Sequence, residues 1–307
     1  MNNQPKFSII IPCLNSEKTI QRTIDSIKKQ NYKNFECLVM DGGSKDSTMD
    51  IIKKNSDVVT KYISEEDNAI SAVNKGIKIS KGDYIIFLYS DDYMENNFLK
   101  TISENIDENN SYNVFSYGLS IEDLITSKKK IICNNKKNIK FSYDNVFFKH
   151  VLNHVYKSSL FEKYGLLIES TNNNELFYSN DREFIIRIFL GGEKNFVIDK
   201  VLYKMTSHDN SNTGSRKNIV RIRYEHIEIA NNYLKKYKLS RHQKNKLAVF
   251  KSHNLILLLA WYFIKFDIKN FSVIFSQGYK NRGIYWILDL IIRPFKELFY
   301  RFSIISW

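Results

Sequence analysis

"FSIIIPCLNSEKTIQRTIDSIKKQNYKNFECLVMD", residues 7–41, changes its hydrophobic period twice. FSIII (7–11) suits a strand buried on both faces. Ile20, Ile24 and Ile27 then recur at the i, i+4, i+7 spacing of a helix, and FECLVM (35–40) returns to strand chemistry. A helix between two apolar strands is the crossover that parallel neighbours require, because a tight hairpin joins only antiparallel ones. The pattern continues outward: strands over VVTKYI (58–63) and YIIFLY (84–89) alternate with helical faces at Met49, Ile51 and Ile52 and at Ile70, Val73 and Ile77. Ser47, with Asp50 three residues on, reads as a capping box that opens the second helix. The expected fold is α/β, a Rossmann-like, mainly parallel sheet flanked by helices.

Ligands of open parallel sheets collect outside the carboxyl ends of the strands. Those ends carry Pro12 to Asn15, DGGS (41–44), SEEDN (64–68) and SDD (90–92). Taken singly, Asp-Gly is a turn former, Asp67 and Asn68 can cap a helix, and Asp91 with Asp92 can start one. Four polar ends on one rim point instead to a site. Adjacent carboxylates repel unless a cation or fixed donors neutralise them. No G-x-x-x-x-G-K-[ST] loop is present, and neither G-x-G-x-x-G nor the glycine-rich basic loop of a nucleotidyltransferase follows the first strand. Carboxylates hold phosphates through a hard divalent cation, so the pair at 91–92 predicts a metal and a diphosphate.

Farther along, NVFSYG (113–118) reads as a strand, Lys128 to Lys140 as a solvated or edge stretch, and HVYKSSLFEKYG (154–165) as a helix or turn. SNDREFIIRIFLGG (179–192) puts Phe184, Ile185, Ile188 and Phe189 on one helical face, and HDNSNTGSRKN (208–218) is polar loop. Cys13, Cys37 and Cys133 are odd in number and form no CxxC, which argues against a disulfide framework or thiolate zinc site and for a reducing cytosol. The amino terminus shows no secretory pattern. The net charge of +13 is uneven: residues 1–218 hold 30 Lys/Arg against 28 Asp/Glu, and residues 219–307 hold 16 against 5. Apolar runs in that basic tail reach about ten residues where a spanning helix needs roughly 20, which predicts amphipathic helices on an anionic lipid surface, packed on the main body, or both. Without a recognition motif, the basic charge does not indicate nucleic acid.

Residues 7–54 followed by ISEEDNAISAVNKGIKISKGDYIIFLYSDDYM (63–94) resemble the inverting glycosyltransferases of family 2, which have the GT-A fold. The similarity is continuous over 6–95 and continues more weakly through KSSLFEKYG and SNDREFIIRI to about residue 214, which suggests a transferase domain over 1–218 and a separate region over 219–307. The resemblance implies that Pro12, Leu14, Asn15 and Glu17 line the nucleotide base and ribose, and that Asp41 reads a uracil edge. It implies that Asp67, Asn74 and Lys75 belong to the donor site, that Asp91 faces ribose or sugar, and that Asp92 holds Mn2+ or Mg2+. It implies that Asp181 is the catalytic base and that His208 lies near the diphosphate and metal. Asn180 stands where the family commonly has Glu or Ala, and neither His150 nor His154 sits in register with the family's His-Gln motif. The implied reaction moves a sugar from a nucleotide-diphosphate sugar, UDP-linked in first place, to an acceptor hydroxyl with inversion. A glycan or polyisoprenyl-diphosphate-linked acceptor and a peripheral location on the inner face of the cell membrane follow from family habit and the basic tail. The competing expectation is a noncatalytic sugar-nucleotide-binding protein on the same fold.

Overall fold

The structure is a computed structural model that describes residues 4–123, 129–132, 154–171, 176, 178–207, 218–286 and 290. The chain divides into two compact units: Met1–Glu169 with Asn180–Ser215, and Ser170–Ser179 with Arg216–Trp307.

In the first unit the alternation read from the sequence is realised as β1 (Phe7–Cys13), α1 (Ile20–Lys28), β2 (Phe35–Asp41), α2 (Thr48–Lys54), β3 (Lys61–Ser64), α3 (Ala69–Ile79) and β4 (Tyr84–Phe87). β5 (Tyr93–Met94), α4 (Phe98–Glu108), β6 (Val114–Asp123), β7 (Lys129–Ile132), β8 (His154–Lys157), α5 (Ser159–Tyr164), α6 (Asn180–Leu190) and β9 (Asn195–Ser207) follow. The strands lie in the order β3-β2-β1-β4-β8-β6-β9-β5, with β7 paired to β6. β3, β2, β1 and β4 are mutually parallel, and β6 is parallel to β9. β8 runs antiparallel between β4 and β6. The start of the segment 154–165 is therefore a strand, and only its second half is a helix. Val155 is fully buried and Tyr156 nearly so, because both faces of a central strand are covered.

β1 is buried at every residue, as a strand packed on both faces must be. Ile20, Ile24 and Ile27 of α1 reach the same core as Ile9 and Ile11. Gly76 of α3 lies against β1 so closely that a Cβ there would come within 2.5 Å of Ile10 Cγ2. Glycine costs about 1 kcal/mol in a helix interior, and this approach is its compensation.

The second unit holds α7 (Ile219–Lys236), α8 (Arg241–Ile264) and α9 (Ile268–Arg282). Ser240 and Gln243 form a capping box at the start of α8. Ile227, Leu255, Leu258, Leu259, Ile274 and Trp286 make its core, with Trp286 seated on Gly278, where a Cβ would lie 2.1 Å from the ring. Run length underestimated α8. Among the described residues it is one helix long and apolar enough to cross a membrane by length and composition.

Candidate active site

Register sets the rim. Cys13 pairs with Asp41 and Asp41 with Ser64, so β1, β2 and β3 end level and release their loops side by side. β4 stops opposite Ile10, short of that level. Pro12, buried in β1, lies beyond the last β1–β4 pair, where its missing N–H costs no ladder bond.

The first two loops are stitched together. Asn15 N donates to Ser44 Oγ (2.8 Å), and Asn15 Oδ1 accepts from Lys45 N (2.9 Å). Ser16 N donates to Thr48 Oγ1 (2.7 Å), Glu17 N to Asp46 Oδ2 (3.1 Å), and Ser47 N to Glu17 Oε2 (3.0 Å). Asn15 has φ +48°, a left-handed conformation that asparagine tolerates. Leu14 stands 55% exposed. The expected Ser47 capping box does not form: Asp46 Oδ1 accepts from Thr48 N instead, at 3.0 Å.

Asp41 is 2% exposed and holds its loop from within. Oδ2 accepts from Gly43 N (3.2 Å), Ser44 N (3.0 Å) and Ser64 Oγ (2.6 Å), and Oδ1 from Ser44 Oγ and Cys13 Sγ. Burial pushes this carboxyl up, but the bonds from Ser44, Ser64 and Gly43 outweigh it and leave the group below the usual carboxylate range. A carboxylate offers about four acceptor sites, and here they are taken. Asp41 thus anchors the 41–44 turn.

Asp67 and Lys75 pair with each other at 2.6 Å, and Lys75 also binds Glu65. Burial raises the Asp67 carboxyl, yet Lys75, Ser71 and the Asn68 amide bring it below its ordinary value. Asn68 caps α3 by accepting from Ile70 N and Ser71 N. Asn74 is turned elsewhere. Its amide donates to Leu167 O (2.8 Å) and accepts from Leu167 N (3.0 Å), which ties α3 to the segment around Leu167.

The two adjacent aspartates at 91–92 part company. Asp92 is 2% exposed: Oδ2 accepts from Tyr203 Oη (2.7 Å) and Oδ1 from Thr206 N (2.8 Å). Burial, then the charge of Asp91, push its carboxyl up to about 8 despite those donors. Buried, with both oxygens engaged by donors from β9, Asp92 is less open to a cation than its half-buried neighbour Asp91. The backbone around it is pinned. Arg22 Nη2 and Thr206 Oγ1 each donate to Asp91 O at 2.7 Å, while Thr23 Oγ1 donates to Ser90 O (3.0 Å) and Asp92 O (2.7 Å). Ser90 Oγ meets Ser16 Oγ at 2.8 Å, which ties this turn to the first loop. Asp91 is the half-buried acid of the pair.

Asp181 sits half-buried in the first turn of α6 and accepts from Arg182 N at 2.6 Å. Its position depends on segment 164–168. Arg187, paired with buried Glu183 at 2.7 Å, donates to Tyr164 O (2.6 Å) and Leu166 O (2.9 Å). Asn180 Nδ2 donates to Ile168 O (2.6 Å), and Asn74 holds Leu167 between them. Burial raises the Tyr89 hydroxyl, and after burial the charges of Asp181, Asp92 and Asp91 raise it further. The rim of β4 and the start of α6 thus share one electrostatic neighbourhood.

His208 and His150 lie outside the described residues. His154 opens β8 and stacks on Tyr156 at 5.8 Å. Sequence reasoning missed Arg22, Thr23, Tyr89, Tyr203 and Thr206. Thr23 could have been found, since it interrupts the apolar face of Ile20, Ile24 and Ile27 and is fully buried. Among the described residues, no three His, Cys, Asp or Glu side chains form a group able to hold a metal. A Mg2+-type site needs none, because one or two carboxylates and substrate phosphates suffice. Asp91 fits that requirement.

Residues 8–165 match the family model described as glycosyl transferase family 2. The chain is 24% identical over 290 residues, 91% of its own length and 89% of the relative's, to the GalNAc(5)-diNAcBac-PP-undecaprenol beta-1,3-glucosyltransferase of Campylobacter jejuni. Among solved structures it is similar to residues 1–349 of Staphylococcus aureus TarS in complex with UDP-GlcNAc, with a TM-score of 0.63 and 22% identity over 80% of this chain and 71% of that one. It is also similar to the mannosyltransferase PcManGT of Pyrobaculum calidifontis in complex with GDP-Man and Mn2+, with a TM-score of 0.58 and 13% identity over 95% and 88% of the two chains. With the β-α alternation, the rim of loops and the family match over half its length, the chain belongs to glycosyl transferase family 2.

Proposed function

We propose that the protein transfers a sugar from a nucleotide-diphosphate sugar, a UDP-sugar in first place, to an acceptor hydroxyl with inversion at the anomeric carbon. The family match over residues 8–165, with the stitched loops on the rim of the parallel strands, carries this reading. The stitched loops at 12–17 and 41–48 receive the nucleotide. Their mutual hydrogen bonds fix the cradle before the donor arrives, so little ordering is spent on binding. Asp41 is a positioning residue within that cradle, and Asp67 with Lys75 forms its wall. Asp91 holds a divalent cation, Mn2+ or Mg2+, in place of Asp92. That cation, when bound, supplies Lewis-acid stabilisation of the leaving diphosphate. Asp181 takes the proton of the acceptor hydroxyl as its oxygen bonds to the anomeric carbon and the bond to the diphosphate breaks.

The Campylobacter relative acts on an undecaprenol-diphosphate glycan by its name. A lipid-linked glycan is the acceptor proposed here as well, met on the inner face of the cell membrane with the basic carboxy-terminal unit against anionic lipid. The test is Asp181→Asn. Turnover of a UDP-sugar onto a lipid-linked acceptor is expected to fall by at least about a hundredfold, while donor affinity holds within about twofold. Near-normal turnover removes Asp181 from the chemistry.

A further inference from the structure

Between α8 and α9 the second unit turns a corner dressed in apolar side chains. Phe263, Ile264, Phe266 and Ile268 are 69, 70, 88 and 80% exposed. Burial of each such side chain is favourable, so a cluster at this exposure marks a surface that expects to be covered. Phe266 holds φ +53°, a conformation rare for a bulky residue, and its ring stands clear of the unit's core. Four basic residues, Lys265, Lys269, Lys280 and Arg282, accompany the one acid of segment 261–282, Asp267. Asp267 is occupied as the cap of α9, accepting from Asn270 N (3.1 Å) and Asn270 Nδ2 (2.8 Å). Lys265 Nζ lies 5.5 Å from the Trp261 ring centroid, so aromatic surface and ammonium point the same way.

We propose that this corner enters the boundary between headgroups and acyl chains of an anionic bilayer and anchors the protein on one leaflet, with Lys265 and Lys269 on lipid phosphates and Lys280 and Arg282, at the far end of α9, adding to the unit's positive charge. Charge selects the occupant. A second copy brought face to face would oppose like charges, whereas anionic lipid matches them. The polar content of α8 selects the mode. The helix carries Arg241, Lys244, Lys246 and Lys251, and its Asn254, fully buried, pairs with His226 Nδ1 at 3.0 Å and accepts from Arg223 Nη1 at 3.2 Å. A spanning helix would bring this polar cluster and the flanking cations into or against hydrocarbon. The anchor deepens the membrane-surface reading above and rests on it, but lipid binding requires no sugar transfer, so the two fail separately.

The experiment is flotation of the full-length protein with vesicles of phosphatidylglycerol and phosphatidylcholine, and with phosphatidylcholine alone. The wild type is expected to float with the first. The variant F263S/I264S/F266S/I268S is expected to partition about tenfold less or worse while its circular dichroism and donor affinity stay the same. K265Q/K269Q/K280Q/R282Q is expected to lose the preference for the anionic vesicles, and an alkaline carbonate wash is expected to release the wild type. Equal flotation of the serine variant, absence of wild-type flotation, or retention through the wash overturns the proposal, the last in favour of a spanning α8. A wild-type dimer in lipid-free solution that the serine substitutions dissociate overturns it in favour of a second copy.

Discussion

Asp41, Asp91 and Asp92 are three aspartates on one rim in three different surroundings. Asp41 is a carboxylate held below its ordinary value in the folded protein, so its stabilisation is complete above the unfolded value of about 3.9 and is lost as pH falls through the folded one. Asp41→Asn is therefore expected to cost about 1–3 kcal/mol at pH 7, because an amide nitrogen then faces Ser44 or Ser64 donors. The gap in Tm between the variant and the wild type should narrow in melts taken at pH 4 and then pH 3. A constant gap would mean that Asp41 is not ionised where it sits. For Asp92, shape matters more than charge. Asp92→Ala orphans Tyr203 Oη and Thr206 N and is expected to lower stability by about 2–4 kcal/mol, whereas Asp92→Asn keeps an acceptor for Thr206 and costs less than half as much. In calorimetry with UDP-sugar, Asp91→Ala is expected to abolish the gain in affinity that Mn2+ supplies, and Asp92→Asn to preserve most of it. The reverse ranking would restore the assignment that adjacency in SDD first suggested. Sequence could supply the pair but not the division of labour. Which acid turns inward is decided by Tyr203 and Thr206, more than a hundred positions away.

Segment 164–168 shows how elements, not loops alone, place a reacting group. Asn74 from α3 and Asn180, Glu183 and Arg187 from α6 hold its backbone at Tyr164, Leu166, Leu167 and Ile168. Asn74→Ala leaves Leu167 N–H and C=O without these partners and is expected to cost about 1–3 kcal/mol. Turnover should fall more than donor affinity, since Asp181 rides on the element this segment positions. A raised donor KM with kcat nearly unchanged would instead make Asn74 a donor contact, as the family resemblance implied. The helices and strands up to Phe87 were legible because each is paired with a neighbour close in sequence and carries its own period. β8 was misread for the opposite reason. Four residues bounded by a helix carry no period of their own, and only the gap between β4 and β6 makes them a strand. β9 escaped notice because its pairing with β6 shifts register around Gly118, which spoils the alternation a strand would print.

The whole chain joins two units with separate cores, and its chromophores fall unevenly between them. All three tryptophans, Trp261, Trp286 and Trp307, lie beyond residue 218. Their fluorescence therefore reports the second unit, while far-UV circular dichroism reports both. A saturating UDP-sugar with Mn2+ is expected to raise the circular-dichroism melting transition by several degrees and the tryptophan transition by much less. Coincident shifts would show that the units unfold as one. At this scale the excess of basic over acidic residues past 218 falls in the second unit, while nothing in composition sets Ser170–Ser179 there as well. The exposed corner was not legible there either, because which of many apolar residues stay outside depends on how three helices pack. The out-of-order sheet also has a consequence during synthesis. β1 pairs with one edge of β4 early, but the other edge waits for His154–Lys157, some 67 residues after Phe87. At about 5–20 residues per second, the ribosome takes roughly 3–13 s to cover that distance. For those seconds the nascent chain carries a bare, apolar strand edge of the kind that recruits foreign strands, so chaperone demand should peak before residue 154 emerges rather than at chain release.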